Sequence, residues 1–190
     1  MTVDRARAAA AVAEFLAAMG EDPAREALAA TAARVAELGA ELFAGVGVDP
    51  VPELAAAAVA DLSARGPVAF RAVPFVSTCE HHLLPFVGTA AIVYRPRSAV
   101  AGFGALARVI ETLAARPQVQ ERLADEIADA VARGLEAVGV LVVLTAEHDC
   151  VARRGRRLAG TSVITVAARG EYEHGPARAE ALHLAGGPET

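Results

Sequence analysis

The sequence predicts an α+β domain carrying a helical arm at its N-terminus. Three observations lead there. Residues 4–62 are rich in alanine and broken into helix-length pieces by Gly and Pro. From Val68 the pattern changes to short β-branched runs. Between two pairs of such runs lie two stretches with helical apolar spacing, so the order after the arm is β-β-α-α-β-β. Strands that pair in hairpins, with two helices covering one face, make this α+β. The boundary falls at Gly66-Pro67, which separates an N-terminal helical region, 1–66, from a second region, 67–190.

Residues 4–18 read as a first helix, with Val12, Phe15 and Leu16 among the alanines. Gly20-Glu21-Asp22-Pro23 breaks it. Asp22 before Pro23 is a favourable N-cap followed by proline at the first helical position. A second helix is predicted over 23–43, with a stripe of Leu28, Val35, Leu38 and Leu42. Gly45 and Gly47 stop it, and 52–62 reads as a third helix. Residues 68–76 read as a strand, with Pro74 placing it at an edge or bulge. A second strand is predicted over 87–94. Leu106, Val109, Ile110 and Leu113 give 104–115 a clean helical stripe. Val119, Leu123, Ile127, Val131 and Leu135 repeat every four residues, so a longer helix is predicted over 117–137. The unbroken apolar run 140–146 reads as a strand buried on both faces. A fourth strand is predicted over 161–168 and a last helix over 177–184; residues 186–190 are expected to fray.

Bulk properties exclude several classes. The net charge is −5, without the basic excess of a nucleic-acid binder. No run of 18 uncharged apolar residues occurs, so no membrane span is expected. The N-terminus lacks the hydrophobic run of a signal peptide. Two cysteines in 190 residues do not make a disulfide scaffold, and a reduced, cytoplasmic setting is expected. Every basic residue is arginine; there is no lysine.

Both cysteines sit beside histidines, in Cys79-Glu80-His81-His82 and in Glu147-His148-Asp149-Cys150. Cys79 and His82 lie three apart, which a turn of helix or a tight loop aims at one point. If the strand continues, His148 and Cys150 share a face. Cys79, His82 and Cys150 then form a three-ligand set that suits Zn²⁺ with a fourth position open, the pattern of a catalytic site. His81 and His148 are left free beside it. Two other readings stay open on spacing alone: buried free thiols with core histidines, or a Cys79–Cys150 disulfide. Glu121 lies in a first helical turn, where complementing the helix dipole accounts for it. Arg153-Arg154-Gly155-Arg156-Arg157 reads either as an anion grip or as a solvated turn.

Taken together, these stretches resemble the GTP cyclohydrolase I family. The resemblance rests on Cys79-Glu80-His81-His82-Leu83-Leu84-Pro85-Phe86, on Arg116-Pro117-Gln118-Val119-Gln120-Glu121-Arg122-Leu123, and on Glu147-His148-x-Cys150 followed by Arg154-Gly155. Gly20-Glu21-Asp22-Pro23 and the stretch from Gly160-Thr161-Ser162 to Arg169-Gly170 are also similar. The resemblance implies a tunnelling fold in a toroidal homodecamer with active sites between subunits. It implies conversion of GTP and water to 7,8-dihydroneopterin triphosphate and formate, with Zn²⁺ on Cys79, His82 and Cys150. His81 is then the proton donor and His148 assists ring opening. Glu121, with Gln120 beside it, meets the guanine edge, and Arg154 and Arg108 hold the triphosphate.

One stretch departs from the family pattern. Where the family usually carries Gly-(Leu/Phe)-Ser-Lys, this chain has Gly102-Phe103-Gly104-Ala105, so a hydroxyl donor and a cation are gone. Arg153, Arg156 or Arg157 are the candidates to replace them. Otherwise the substrate is a purine nucleotide with fewer phosphates, or the protein is a non-catalytic zinc-holding ring that binds nucleotides. Retention of His81, His148 and Glu121 argues against the last.

Overall fold

The computed structural model describes residues 3–60, 63 and 66–186. Its elements run α1 (Arg5–Ala18), a 3₁₀ turn (Glu26–Leu28), α2 (Thr31–Leu42), α3 (Val51–Ala56), β1 (Ala58–Ala60), β2 (Val68–Cys79) and β3 (Pro85–Arg95). There follow β4 (Ala99–Ala101), α4 (Phe103–Ala114), β5 (Pro117–Gln118), α5 (Gln120–Leu135), β6 (Gly139–His148), α6 (Asp149–Ala152), β7 (Ser162–Gly170) and α7 (Gly175–Leu184). The structure is a mixed α+β one, as its sequence predicts.

The main sheet has five strands in the order β5-β2-β3-β6-β7. β2, β3, β6 and β7 pair antiparallel, and only β5 runs parallel to β2. The period-2 rule sorts the side chains. Ala90, Ile92 and Tyr94 of β3 and Val140, Val142 and Leu144 of β6 enter the main core with Leu106, Ile110, Leu123 and Ile127 of α4 and α5. The alternate residues Val93 and Leu141 point to the other face, where Tyr172 and Ala181 cover them. β6 is therefore buried on both faces at that end, which is why its sequence is unbroken Val and Leu. Beyond the reach of α7, the same second face leaves Val76, Val87, Ile164 and Val166 exposed.

The arm is anchored differently along its length. α1 starts on Asp4, whose Oδ1 accepts from Arg7 N–H at 3.0 Å, and packs on α2. Farther on, α3 packs on α5, where Leu54 is buried against Gly134. A Cβ at Gly134 would lie 2.7 Å from Leu54 Cδ2, so glycine permits this close seat.

Four expected elements differ. The helix predicted over 23–43 is divided: Asp22 Oδ1 caps Ala24 N–H at 2.9 Å, but only the 3₁₀ turn forms before α2 begins at Thr31. The helix predicted over 52–62 stops at Ala56, because Ala58–Ala60 pairs with β4 instead. Its end at Leu62 lies outside the described residues, as do residues 187–190 of the expected frayed tail. Pro117 does not open α5. Pro117–Gln118 is extended along Thr78–Cys79, and Gln118 O accepts from Glu80 N–H at 3.0 Å, so tertiary hydrogen bonds override the helical pattern there. Finally, β6 ends at His148 and Cys150 lies in the single turn of α6. As for Pro74, the register shift of β2 lies just before it, with Ala72 at φ 55°.

Candidate metal centre and active site

One end of the sheet collects the polar residues. β2 ends at Cys79, β3 starts at Pro85, β6 ends at His148, and β5 leads α5 in beside Cys79. The hairpin between β2 and β3 is closed by Cys79 N–H donating to Leu84 O at 2.8 Å. Cys79 O in turn accepts from Leu83 N–H at 2.8 Å. This curls the loop tightly enough to force Leu83 into the left-handed region, φ 53°, an uncommon cost for a non-glycine residue. The curl brings His82 back over Cys79.

Cys150 reaches the same point from α6. The ligand atoms of Cys79, His82 and Cys150 all lie within 4.8 Å of one another. Both cysteines are free thiols, so the disulfide reading does not describe this structure. Cys79 is 6% exposed. Burial pushes the Cys150 thiol above its ordinary value, and the neighbouring Cys79 pushes it further. A thiol that resists ionisation beside a second thiol is relieved by a cation between them. With one imidazole added, this donor set fits a borderline-soft divalent metal and leaves a coordination position free.

The loop that carries two of these residues is held from α5. Arg122 Nη2 donates to Glu80 Oε2 at 2.5 Å, and Arg122 Nε donates to Gln118 Oε1 at 2.8 Å. Gln118 Nε2 donates to Glu126 Oε2 at 2.6 Å and Leu113 O at 3.1 Å. Arg122 keeps the Glu80 carboxyl below the usual carboxylate range. Gln118 and Arg122 were not singled out from sequence. Sequence offers only an amide and an arginine four apart beside a helix start; the fold shows that the amide is buried and what the two hold.

His148 and Gln120 form a second unit. The His148 ring stacks on Phe86 with centroids 4.7 Å apart and planes 1° from parallel, because the two residues are β3–β6 register partners. Gln120 is only 1% exposed. Its Nε2 donates to Leu144 O at 3.1 Å, Val163 O at 2.9 Å and Thr165 Oγ1 at 3.2 Å. Carbonyls only accept, so the amide nitrogen must face them and Oε1 must face His148 Nε2, 2.7 Å away. That oxygen can only accept, so His148 carries its proton on Nε2 and leaves Nδ1 open. The resemblance sets Gln120 beside Glu121 at the guanine edge; in this structure its amide is engaged by the core and by His148, which it orients. Burial holds His148 below its ordinary pKa, with the Glu121 charge opposing.

The remaining site residues are placed less uniformly. His81 is solvent-facing, its side chain 64% exposed, with Nε2 3.8 Å from Glu80 Oε1. Glu121 is exposed in the first turn of α5. Arg154 lines a cavity of about 260 Å³ together with His82 and Cys150. Arg108 is not in that lining; it pairs with Glu53 of α3.

Such a fold and donor set define a mixed α+β protein with a Cys-His-Cys group able to hold a metal and ionisable side chains around it. Comparison with known proteins is specific. The family model described as GTP cyclohydrolase I matches residues 8–185, and the chain belongs to that family. GTP cyclohydrolase 1 of Leifsonia xyli subsp. xyli is 54% identical over 183 residues, covering 96% of each chain. That of Mycolicibacterium vanbaalenii is 48% identical, covering 95% of this chain and 90% of the relative. Among solved structures, the apo form of an archaeosine synthase QueF-Like matches with a TM-score of 0.46 and 17% identity. That match covers 58% of this chain and 97% of the other. No helix among the described residues is long and apolar enough to cross a membrane.

Proposed function

We infer that this protein is a zinc-dependent GTP cyclohydrolase I, opening the guanine imidazole ring of GTP at C8 to give 7,8-dihydroneopterin triphosphate and formate. The observation that carries this is the convergence of Cys79, His82 and Cys150 at the sheet end that also holds His148 and the start of α5, in a chain of this family. Those three side chains would hold the zinc, which when bound would supply a water acidified to about neutral pKa.

The chain's own residues supply the rest. His81, exposed to solvent, protonates the purine N7. His148, fixed by Gln120 and stacked on Phe86, exchanges a proton through its open Nδ1 during ring opening. Because burial keeps it neutral, it serves as an acceptor at neutral pH. Glu121 accepts from the N1–H and N2–H donors of guanine, a two-point match for a carboxylate. Arg154 meets the triphosphate.

Arg108 fits a site completed by a neighbouring subunit. It does not line the cavity beside His82 and Cys150 and pairs with Glu53, an arrangement that suits a triphosphate site shared between subunits. The exposed second face of the sheet supports such assembly: Ile164 is 64% exposed, and β7 is a sheet edge among the described residues. A tunnelling fold closed into a toroidal homodecamer uses both.

Formate release and neopterin fluorescence after oxidation and dephosphorylation, measured with GTP, GDP, GMP and guanosine, test the reading. Product from GTP is expected. No product from any of the four, with zinc bound, defeats it. Gly104-Ala105 favours a second reading, a cyclohydrolase for nucleotides with fewer phosphates; GMP turned over as readily as GTP selects that one.

A further inference from the structure

We propose that Arg156 is a second phosphate-binding cation of this site, gripping the oligophosphate of the nucleotide together with Arg154. The proposal rests on the cyclohydrolase reading and extends it to a residue that the family motif does not contain.

The loop after α6 offers four guanidiniums, and the structure separates them. Arg153 is committed: its Nε donates to Asp149 Oδ1 at 2.6 Å. Arg157 closes a turn, its N–H donating to Arg154 O at 3.0 Å, and its side chain does not line the cavity. Gly155, at φ 57°, takes the first central position of that turn, where a glycine is needed for the sharp reversal. Leu158 N–H donates to Val151 O at 3.2 Å and ties the loop back onto α6. The reversal sends Arg154 and Arg156 into one cavity, the one that His82 and Cys150 also line.

Neither Arg154 nor Arg156 has a carboxylate partner among the described residues. Elsewhere the chain pairs its arginines freely, with ion pairs at Arg5, Arg25, Arg95, Arg108, Arg116, Arg122, Arg133 and Arg169. Two unpaired planar forks over a metal-ligand group are suited to a dense anion, and a guanidinium binds phosphate oxygens in pairs. The departure from the family pattern adds to the case: Gly104 and Ala105 bring no side-chain donor or charge, and Arg108 pairs with Glu53.

The test compares wild-type zinc-loaded protein with Arg156→Ala, Arg156→Lys and, as a charge-loss control far from the site, Arg5→Ala. Two readouts are taken: KM and kcat for GTP, and calorimetric binding of inorganic tripolyphosphate. Arg156→Ala is expected to raise KM for GTP and weaken tripolyphosphate binding by about ten- to hundredfold, the worth of one charge-assisted contact. Its kcat should change less, Arg156→Lys should recover part of the loss, and Arg5→Ala should match wild type. Values for Arg156→Ala within twofold of wild type in both readouts overturn the proposal. So does an absence of tripolyphosphate binding in the wild type. Should wild-type protein fail to release formate from GTP, the cyclohydrolase reading falls, while tripolyphosphate binding alone still decides Arg156.

Discussion

Gln120→Leu is the substitution that most directly probes how the site is built. Leucine keeps the approximate volume and removes every polar atom of a buried amide. Four hydrogen bonds disappear, three from Nε2 to Leu144 O, Val163 O and Thr165 Oγ1, and one from His148 Nε2 to Oε1. At about 0.5–1.5 kcal/mol net for each, the loss is roughly 2–6 kcal/mol. The greater apolar burial of leucine offsets part of it, by up to about 1 kcal/mol. A net destabilisation of about 1–5 kcal/mol is expected in urea unfolding followed by circular dichroism at one fixed protein concentration, since any self-association adds to apparent stability. The functional effect separates kcat from KM. With its acceptor gone, His148 loses its single tautomer and orientation. Since positioned acid–base groups contribute about 10²–10⁴ in rate, kcat should fall by about a hundredfold. KM should hold, because Gln120 does not face the substrate. A variant whose KM rises while kcat and stability stay at wild-type values would refute the reasoning and return Gln120 to direct guanine contact.

Other outcomes follow from the same geometry. Cys150→Ser should lose stoichiometric zinc by elemental analysis, and a variant that retains full zinc overturns the ligand assignment. Arg122→Ala frees Glu80 from α5, so zinc affinity measured by competition with a chelator should fall severalfold while the unfolding midpoint moves little; unchanged affinity means the Glu80 tether is ornamental. Tyr94→Phe leaves Ala101 N–H, which donates to the tyrosine hydroxyl at 3.2 Å in the core, without its acceptor, at a cost of about 1–3 kcal/mol in unfolding free energy. For His148 the sign is set by burial: its folded pKa is below the unfolded value of about 6.5, so the unfolded chain takes the proton first. Stability should therefore drop as pH falls below about 6.5, and His148→Gln should flatten that part of the profile; an identical slope in both proteins excludes His148 as its source.

Several features were legible in the chain because they depend on near neighbours. The α4 stripe and the all-apolar run of β6 follow from local periodicity, and both reappear as core. The closeness of Cys79 and His82 is also local, three residues in one loop. Gln118 and Gln120 were not legible in the same way. They alternate with Val119 at the start of a helical pattern, and nothing in the pattern says that one binds Glu126 and the other holds His148. The helix predicted from Pro117 failed for that reason: hydrogen bonds to the end of β2 outweigh local preference over two residues.

By itself, then, the amino-acid order determined the class of fold, the family motifs and the metal-ligand candidates, since these reside in residue type and short spacing. The tertiary structure alone decided which groups are spent on the protein and which remain for a ligand. Register between β3 and β6 stacks His148 on Phe86, burial commits the Gln120 amide, and Glu53 occupies Arg108. Contacts between residues 28 to 62 positions apart carry no mark in the sequence, because stacking, hydrogen bonding and ion pairing depend on distance in space and not along the chain.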